Sequence, residues 1–438
     1  MAIHTETRTG ASGIGEEMHR LIADLYPICR SITGDGIRET LRRLQALIPT
    51  TAHEVPSGTQ VLDWTVPNEW NIRDAYVKNA KGERVVDFRR HNLHVMNYSV
   101  PVDRTVPRQE LLAHCTSLPD HPDWIPYRTS YYREAWGFCV TQRQLETLTD
   151  DAYEVRIDST LAPGHLTYHE LVLPGETEDE ILISTHACHP SLANDNLSGV
   201  AVAAFLARHL QAARRRYGYR FVFIPGTIGS ITWLARNEAV VPRIRHGLVL
   251  AGVGDPGPVH YKRSRRGDAE IDRAAAHVLR HTERPHTLLD FSPYGHDERQ
   301  YCSPGYDLAV GCLSRTPDAL YAEYHTSGDD LDFVRPEALA ESYTICLAIL
   351  EVLEGNATYV NLQPKGEPQL GRRGLYGNVG GKMPVDEMAL LWVLNQSDGR
   401  HSLLDIADRA DRPFASIRRA ADLLLGAELL ALAPGPPR

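Results

Sequence analysis

The sequence predicts an α/β protein whose mainly parallel sheet is sandwiched by helices. From residue 161 onward, strand-like apolar runs alternate with helical patterns, an order typical of parallel sheets that are covered on both faces. Two further observations each add a domain: residues 56–160 have a β-rich pattern, and residues 361–438 carry three short helical patterns. With 42% apolar and 23% charged residues, the 438-residue chain has the composition of an ordinary globular protein.

The first domain is predicted to combine two separate stretches, 14–55 and 161–360. Helical periodicity covers residues 14–48 and is interrupted by a turn signal at 33–36. In the second stretch, strands and helices are expected to alternate. The strands are predicted at "EILIST", "YRFVFIP", "HGLVLAGV" and "DLAVGCL", and the helices at about 196–215, 230–237, 268–281 and 335–355.

The two other domains have different sequence textures. Residues 56–160 contain short runs rich in Trp, Tyr, Val and Ile, split by Pro and Lys-Gly turns, which indicates an inserted β-rich domain. In residues 361–438, the runs "VDEMALLWVLNQ", "SLLDIADRA" and "FASIRRAADLLLGAELLAL" predict three helices and a strand, the pattern of a winged helix. Its last helix offers only Arg418 and Arg419 to a phosphate backbone, so packing or dimerisation is its expected role.

The charge balance argues against nucleic-acid and membrane partners. The chain has 46 basic and 56 acidic residues, and its formal charge of -10 repels phosphate groups and anionic lipids. The N-terminus lacks a secretory pattern, no stretch approaches ~18 consecutive apolar residues, and seven dispersed cysteines fit reduced thiols. We therefore expect a cytoplasmic protein with a small-molecule or short-peptide substrate, and leave homo-oligomerisation open.

Potential metal-binding side chains are concentrated in "THACHPSLANDNLSG", residues 185–199, at the end of a predicted strand. Ligands of parallel sheets bind at the carboxyl ends of the strands, where His186, His189 and Asp195 are placed. Imidazole nitrogens and carboxylate oxygens are ligands that suit zinc. Alone, each residue would more often be a structural loop residue or a helix cap. Together they predict a metal site.

A second supply of ligands appears far downstream in "YAEYHTSGDDLDF", residues 321–333. This segment brings His325, a predicted metal ligand, and Glu323, a candidate substrate contact. Hydrolytic zinc enzymes assemble their metal site from distant segments and leave one coordination position open for water. The pattern therefore favours a hydrolytic zinc centre.

These motifs resemble a known family. "ILISTHACHPSLANDNLSGVAVAAFLAR" is similar to the signature of the zinc aminopeptidases of peptidase clan MH. From about residue 14 onward, the chain resembles a bacterial family with an aminopeptidase-like domain, an inserted β-rich domain and a C-terminal winged helix. The segments "DWTVPNEWNIRDAY", "NLHVMNYSVPV", "IPYRTSYYREAWGFC", "PGTIGSITWL", "YGHDERQYCSPGYDL" and "EYHTSGDDLDF" carry this resemblance. It implies that Asp195 is a bridging metal ligand, that His325 is the last ligand, and that Asp255 binds metal, with a structural turn as the alternative for Asp255.

The chain departs from the family pattern at two places. The clan carries a Glu-Glu pair after the next strand, with the general base first and a metal ligand second, whereas this chain has Gly226 and Thr227. Cys188 replaces an Asp that follows the first histidine, and His189 is a candidate for the missing ligand. The resemblance therefore implies one zinc ion, although two zinc ions stay possible by this pattern. It also implies that another part of the chain supplies the general base.

The stretch "GHDERQY", residues 295–301, supplies two candidate catalytic carboxylates. Glu298 is the first candidate for the general base, and a solvated glutamate paired with Arg299 is the alternative. Asp297 is a candidate metal ligand or a carboxylate that orients a histidine. Both assignments depend on where the loop places these side chains.

Candidate substrate contacts come from the inserted domain and from a basic run. Tyr131, Tyr132 and Arg133 lie in "TSYYREAWGF", where core packing is the alternative interpretation. The run "YKRSRRG", residues 261–267, could bind an anionic group, although a solvated loop is the favoured interpretation. Neither pattern identifies a substrate.

Two functions of different classes follow. The first is a zinc-dependent metallopeptidase-like hydrolase, an aminopeptidase or an N-deacylase, that acts on a small peptide or an N-acylated or aminoacylated intermediate. The second is a catalytically degenerate peptidase fold that binds a ligand and regulates through its winged helix. The missing Glu-Glu pair favours the second function. The ligand set His186, His189, Asp195, Asp297 and His325 favours the first.

Overall fold

The computed structural model of the protein describes residues 7–317, 320–375 and 386–434. In chain order the helices are α1 (Thr7–Leu25), α2 (Asp35–Leu44), α3 (Arg108–Ala113), α4 (Gln142–Thr147), α5 (Gly199–Gln211), α6 (Ile228–Arg236), α7 (Glu270–Arg280), α8 (Glu298–Tyr301), α9 (Pro336–Gly355), α10 (Glu387–Gln396), α11 (Leu403–Ala410) and α12 (Phe414–Gly426). None of the described helices combines the length and the apolar character that a membrane span requires.

The strands are β1 (Thr51–Pro56), β2 (Gln60–Val61), β3 (Trp64–Thr65), β4 (Glu69–Lys78), β5 (Arg84–Asp87), β6 (Val102–Pro107), β7 (Cys115–Thr116), β8 (Phe138–Cys139), β9 (Ala152–Ala162), β10 (His165–Leu173), β11 (Glu180–His186), β12 (Gly218–Ile224), β13 (Ile244–Leu250), β14 (Val259–Lys262), β15 (His286–Leu289), β16 (Val310–Ser314), β17 (Thr358–Asn361), β18 (Asp398–Ser402) and β19 (Leu430–Leu432). These elements belong to two compact structural units. One consists of the chain up to Gly267 with His286–Tyr343, and the other of Asp268–Pro285 with the chain from Thr344 onward.

Eight strands form the central sheet of the first unit, in the order β1-β10-β12-β11-β13-β16-β14-β15. The four middle strands β12, β11, β13 and β16 run parallel, which confirms the predicted fold class. Antiparallel strands flank them on both sides, because β10 pairs antiparallel with β12 and β14 antiparallel with β16. All seven residues of β11 are buried, as expected of a strand that helices cover on both faces.

The inserted β-rich segment forms its own antiparallel sheet in the order β5-β4-β9-β6. Alternating buried and exposed residues along β9 show that only one face of this sheet packs on a core. A separate two-stranded hairpin, β2 and β3, contacts helix α6 of the first unit. This contact brings part of the inserted segment towards the edge of the central sheet where α6 begins.

The second unit contains the predicted winged helix. Helices α10, α11 and α12 precede β19, as the sequence predicts, and β19 pairs with β17, which also pairs with β18. Buried apolar residues on one side of α12, Ile417, Ala421 and Leu424, fix its packed face. Helix α7 also belongs to this unit. The predicted bounds of the three domains stay a prediction.

Candidate metal centre

The first part of the site lies where β11 ends and α5 begins. His186 is the last residue of β11, and Asp195 lies in an irregular helical turn, Ala193–Ser198, that leads into α5. The Nε2 atom of His186 lies 2.8 Å from Oδ1 of Asp195, and Nδ1 of His189 lies 3.4 Å from the same oxygen. The Asp195 side chain is only 2% exposed. Two imidazoles therefore face one buried carboxylate.

A distant segment supplies the third imidazole. Nε2 of His325 lies 3.0 Å from Oδ2 of Asp195, and the rings of His189 and His325 have centroids 5.2 Å apart. His325 adopts a left-handed backbone conformation with φ of 55°. For a residue with a Cβ this conformation costs about 1–3 kcal/mol and is characteristic of functional positions. The structure thus brings together the four residues His186, His189, Asp195 and His325.

The donor atoms of this cluster fit a zinc ion. His189 Nδ1, Asp195 Oδ2 and His325 Nε2 are buried and have no well-formed hydrogen bond, although they face one another. Tetrahedral ligands at about 2.0–2.1 Å from zinc are roughly 3.3 Å apart, close to the separations of 2.8–3.4 Å seen here. A cation would give each buried atom a partner.

The electrostatics of the cluster keep its carboxylate ionised. Burial alone would raise the pKa of Asp195. His189, followed by His186 and His325, outweighs burial and holds the pKa of Asp195 well below its usual range. An ionised carboxylate among three imidazoles has the chemistry that a divalent cation requires.

Two buried side chains hold the loops that carry these ligands. Asp329 accepts backbone N–H groups from Ala193, Asn194 and Asp195 at 3.1, 2.6 and 2.9 Å. Burial raises the pKa of Asp329 to about 8, and the three N–H donors oppose that rise. On the other side, Nε of the fully buried Arg30 donates to the carbonyl of His189 at 3.0 Å. Both ligand loops are therefore anchored through their backbones.

The inserted segment forms one wall of the site. Backbone N–H of Tyr127 donates to the carbonyl of His325, and Pro126 and Thr326 form an isolated antiparallel bridge. The Tyr127 ring stands edge-on to His189 and His325, with centroids 5.1 and 5.2 Å away. Sequence reasoning missed Tyr127, although it lies in the quoted stretch "IPYRTSYYREAWGFC". Its signal was its position four residues before Tyr131, the first of the predicted contacts.

A fourth histidine and a carboxylate lie on the opposite side. The ring of His296 stacks on His186 with centroids 5.2 Å apart. Next to it, Asp297 is 1% exposed, accepts a hydrogen bond from Ser230 Oγ at 2.7 Å, and has no hydrogen bond to its second oxygen. Burial raises the pKa of Asp297. His296 was not predicted, although it directly precedes Asp297 in the sequence.

The surroundings of Gly226 show which carboxylate lies where the family has its glutamate pair. A Cβ at Gly226 would lie 3.1 Å from Cβ of His186 and 3.4 Å from Oδ2 of Asp297. The free oxygen of Asp297 therefore lies beside the position from which a glutamate would extend. The carboxylate of Asp297 reaches the site from a different loop.

Two predicted site residues have other partners. Glu298 is buried and forms a salt bridge with Lys262 rather than the alternative pair with Arg299, and the described contacts do not join Glu298, the predicted general base, to the imidazoles. Asp255 accepts hydrogen bonds from Asn194, Gly257 and Thr316. Among the described residues, the compact group of metal-ligand atoms comprises His186, His189 and Asp195. It includes neither Asp255 nor His325, and His325 reaches the group through its contact with Asp195. The turn interpretation of Asp255 therefore fits its contacts better than the metal role.

The candidate substrate contacts fall into two groups. The Tyr131 hydroxyl lies 2.7 Å from the Tyr127 hydroxyl, so it adjoins the wall of the site. Tyr132 and Arg133 are exposed, whereas Glu323 is partly buried and its carbonyl accepts hydrogen bonds from Thr326. In the basic run, Arg263, Arg265 and Arg266 pair with Asp290 and Asp307. Their ion pairs favour the solvated-loop interpretation of that run.

A parallel sheet between helices, with a histidine and carboxylate cluster at its carboxyl edge, defines an aminopeptidase-like protein. The chain belongs to the family of the domain of unknown function DUF4910, whose model matches residues 19–356, and a winged helix-turn-helix model matches residues 357–432. These matches confirm the predicted family resemblance and the C-terminal winged helix.

Known proteins resemble the chain over most of its length. A Clostridium acetobutylicum protein, named as a candidate polysaccharide biosynthesis protein with an aminopeptidase-like domain, is 52% identical over 96% of this chain and 98% of its own. The crystal structure of a candidate peptidase from that species is 51% identical, with a TM-score of 0.93 over 97% of this chain and 98% of its own. The zinc aminopeptidase BSAP from Bacillus subtilis shares the fold, with 11% identity and a TM-score of 0.56 over 77% of this chain and 95% of its own.

Proposed function

We propose that the protein is a zinc-dependent hydrolase that cleaves an amide bond in a small peptide or in an N-acylated or aminoacylated biosynthetic intermediate. The observation that carries the proposal is the buried Asp195 carboxylate enclosed by His186, His189 and His325. The name of the Clostridium acetobutylicum relative supports a sugar-containing intermediate of polysaccharide biosynthesis as the molecule that carries the amide. One zinc per chain is the expected content, because a single group of ligands is found among the described residues.

The residues of the site have distinct parts in this reaction. His186, His189, Asp195 and His325 would hold zinc, which lowers the pKa of a bound water and polarises a carbonyl group. For catalysis these residues would have to leave one position on the metal to water, as catalytic zinc sites do. The free oxygen of Asp297, beside His186, would hold the proton that water gives up. Tyr127 shields two of the histidine rings from solvent.

A second function rests on the loss of the glutamate pair. Gly226 and Thr227 provide no carboxylate, so a protein that binds its ligand without cleaving it is the alternative. Such a protein would keep zinc as a ligand-binding centre or would have lost it. Turnover distinguishes the two functions.

Metal content and turnover test the proposal together. Elemental analysis of the purified full-length chain is expected to find about one zinc per chain, and His325→Ala is expected to lose it. His260→Ala, at a histidine of β14 that bonds to the Pro258 carbonyl, is the matched control. Release of amine from a panel of aminoacyl amides and N-acylated amino sugars measures turnover. A folded chain that takes up no zinc contradicts the proposal, and zinc binding without turnover on any amide favours the binding protein.

We further propose that the protein acts in the cytoplasm and without nucleic acid. The seven cysteines, all within the described part of the chain, form no disulfide, which fits a reducing compartment. The formal charge of -10 opposes binding to phosphate backbones. A salt-dependent gel shift with random duplex DNA at about 0.15 M salt would contradict the second part.

A further inference from the structure

Exposed apolar side chains concentrate on the segments around the proposed zinc site. Nine large apolar side chains are exposed in the described part of the chain. Five of them, Leu62, Trp64, Tyr132, Tyr294 and Leu320, lie on the β2–β3 hairpin or within five residues of a site residue in sequence. Tyr294 precedes His296 by two residues, and Leu320 precedes His325 by five. Apolar side chains collected in this way mark binding surfaces.

Trp64 and Tyr132 form a defined pair within this group. Their ring centroids are 5.4 Å apart and their planes are inclined by 57°. Trp64 is 46% exposed and Tyr132 is 54% exposed, so about half of each side chain remains in contact with water. The two rings therefore make an open aromatic corner, to which both the hairpin and the Tyr131–Arg133 turn contribute.

Two independent chains of contacts connect this aromatic corner to the zinc site. Tyr132 follows Tyr131, whose hydroxyl meets the hydroxyl of Tyr127. The Tyr127 ring in turn contacts His189 and His325. The corner therefore lies within two side chains of the proposed metal ligands.

The second connection runs through the hairpin. Strand β2, which pairs with the Trp64-bearing strand β3, contacts helix α6. Helix α6 begins two residues after Gly226, which adjoins His186 and Asp297. The corner is thus connected, through neighbouring segments, to elements on two sides of the site, as expected of a subsite for the part of a substrate that extends beyond the reacting group.

We propose that Trp64 and Tyr132 bind a sugar ring of the substrate. This inference rests on the proposed function, because it names the chemical class that lies beside the amide. A pyranose ring has an apolar C–H face that stacks on an aromatic ring and hydroxyl groups that remain hydrated, so it suits an open corner. An aliphatic amino-acid side chain requires an enclosed apolar pocket, which two half-exposed rings do not provide. The exposed Arg133 beside Tyr132 adds hydrogen-bond donors for hydroxyl groups.

Calorimetric titration of the full-length chain with triacetylchitotriose, a trimer of N-acetylglucosamine, tests the subsite. Wild-type protein is expected to bind it, and the double variant Trp64→Ala, Tyr132→Ala is expected to bind it about tenfold more weakly or less. Tyr132→Phe keeps the ring and is expected to bind within about twofold of wild type. Val172→Ala, at an exposed apolar position of β10, is the control and is expected to change nothing.

The same titration after removal of zinc by a chelator separates the subsite from the hydrolase. Trisaccharide binding that survives chelation and is lost in the double variant supports the subsite, even for a chain that cleaves no amide. Absence of trisaccharide binding to wild type overturns it. Unchanged binding in the double variant, or an equal loss of affinity for leucine amide, overturns it as well, whatever the outcome of the turnover assay.

Discussion

The carboxylate of Asp329 accepts a hydrogen bond from the backbone N–H of Asp195, with an N···O distance of 2.9 Å. Asp329 lies four residues after His325. A single fully buried side chain therefore connects the segment that carries His325 with the turn that carries Asp195. Because these two residues are distant in sequence, their approach to within 3.0 Å depends on such connections.

Replacement of Asp329 is expected to weaken zinc binding without unfolding the chain. Asp329→Asn keeps one acceptor oxygen but replaces the other with an NH2 group, which cannot accept a backbone N–H hydrogen bond. Side chains that orient metal ligands typically contribute about 10–100-fold to metal affinity, so a loss of that size is expected. Competition with a chromogenic chelator measures it. Asp330→Asn is the matched control, because Asp330 bonds only to backbone groups of its own segment among the described contacts. Equal zinc affinities of the two variants would exclude the connecting role of Asp329.

Asp297 and Glu298 are adjacent in sequence and are expected to respond differently to loss of charge. Asp297→Asn is expected to lower kcat by about 10²–10⁴-fold at unchanged zinc content, since the free oxygen of Asp297 lies beside His186. Glu298→Gln removes the partner of Lys262 and is expected to lower stability more than kcat. Steady-state kinetics and thermal unfolding of both variants measure these effects. A large fall in kcat for Glu298→Gln alone would restore the sequence-based assignment of the general base.

Asp297 and Glu298 are adjacent in sequence but have different surroundings in the structure, so the sequence alone could predict only part of the site. The alternation of strands and helices predicts the middle of the sheet, because buried parallel strands read as continuous apolar runs, such as β11. The sequence also predicts His186, His189 and Asp195, since their residue types lie within ten positions after a strand. His325 was found because metal ligands form a small set of residue types.

Other features depend on tertiary contacts that a linear pattern does not encode. Glu298 and Lys262 are 36 positions apart, and their salt bridge forms only once β14 and α8 are in place. Asp255 has the residue type of a ligand, yet its neighbours Asn194 and Thr316 already use its oxygens. Tyr127 reaches the site because residues 125–127 pair with a segment about 200 positions away.

The central sheet contains a buried charge network whose disruption is expected to destabilise the fold. Arg220 of β12 lies between Glu180 of β11 and Glu170 of β10, at 2.6 and 2.7 Å. Arg220→Met leaves Glu180, which is 1% exposed, with only the half-exposed Arg243 as an ion-pair partner, and is expected to lower the free energy of unfolding by about 3 kcal/mol. Arg214→Met removes an ion pair with Glu176 in which Arg214 is 89% exposed, and is expected to cost less than about 1 kcal/mol. Urea denaturation of both variants tests this ranking, and equal costs would contradict it.

The stability of the central sheet is expected to fall as the pH drops from about 6.5 towards 4, in part because of His169 on β10. Burial, with a smaller effect of His53, lowers the pKa of His169 to about 4. The unfolded chain, with a histidine pKa of about 6.5, therefore binds more protons than the folded chain between these values. Stability must then fall with decreasing pH, by up to about 1.4 kcal/mol per pH unit for this residue. Neutral His169 shares a hydrogen bond of 2.8 Å with Thr50.

His169→Gln removes this titration while keeping a group that can bond to Thr50. The variant is expected to lose less stability than wild type between pH 7 and pH 5, because glutamine takes up no proton in either state. Urea denaturation at pH 7, 6 and 5 gives the slope for each protein. His260→Gln, on β14 of the same sheet, is expected to keep the wild-type slope, since the side chain of His260 contacts only the carbonyl of Pro258 among its described hydrogen bonds. A wild-type slope in His169→Gln would show that other groups cause the loss of stability at low pH.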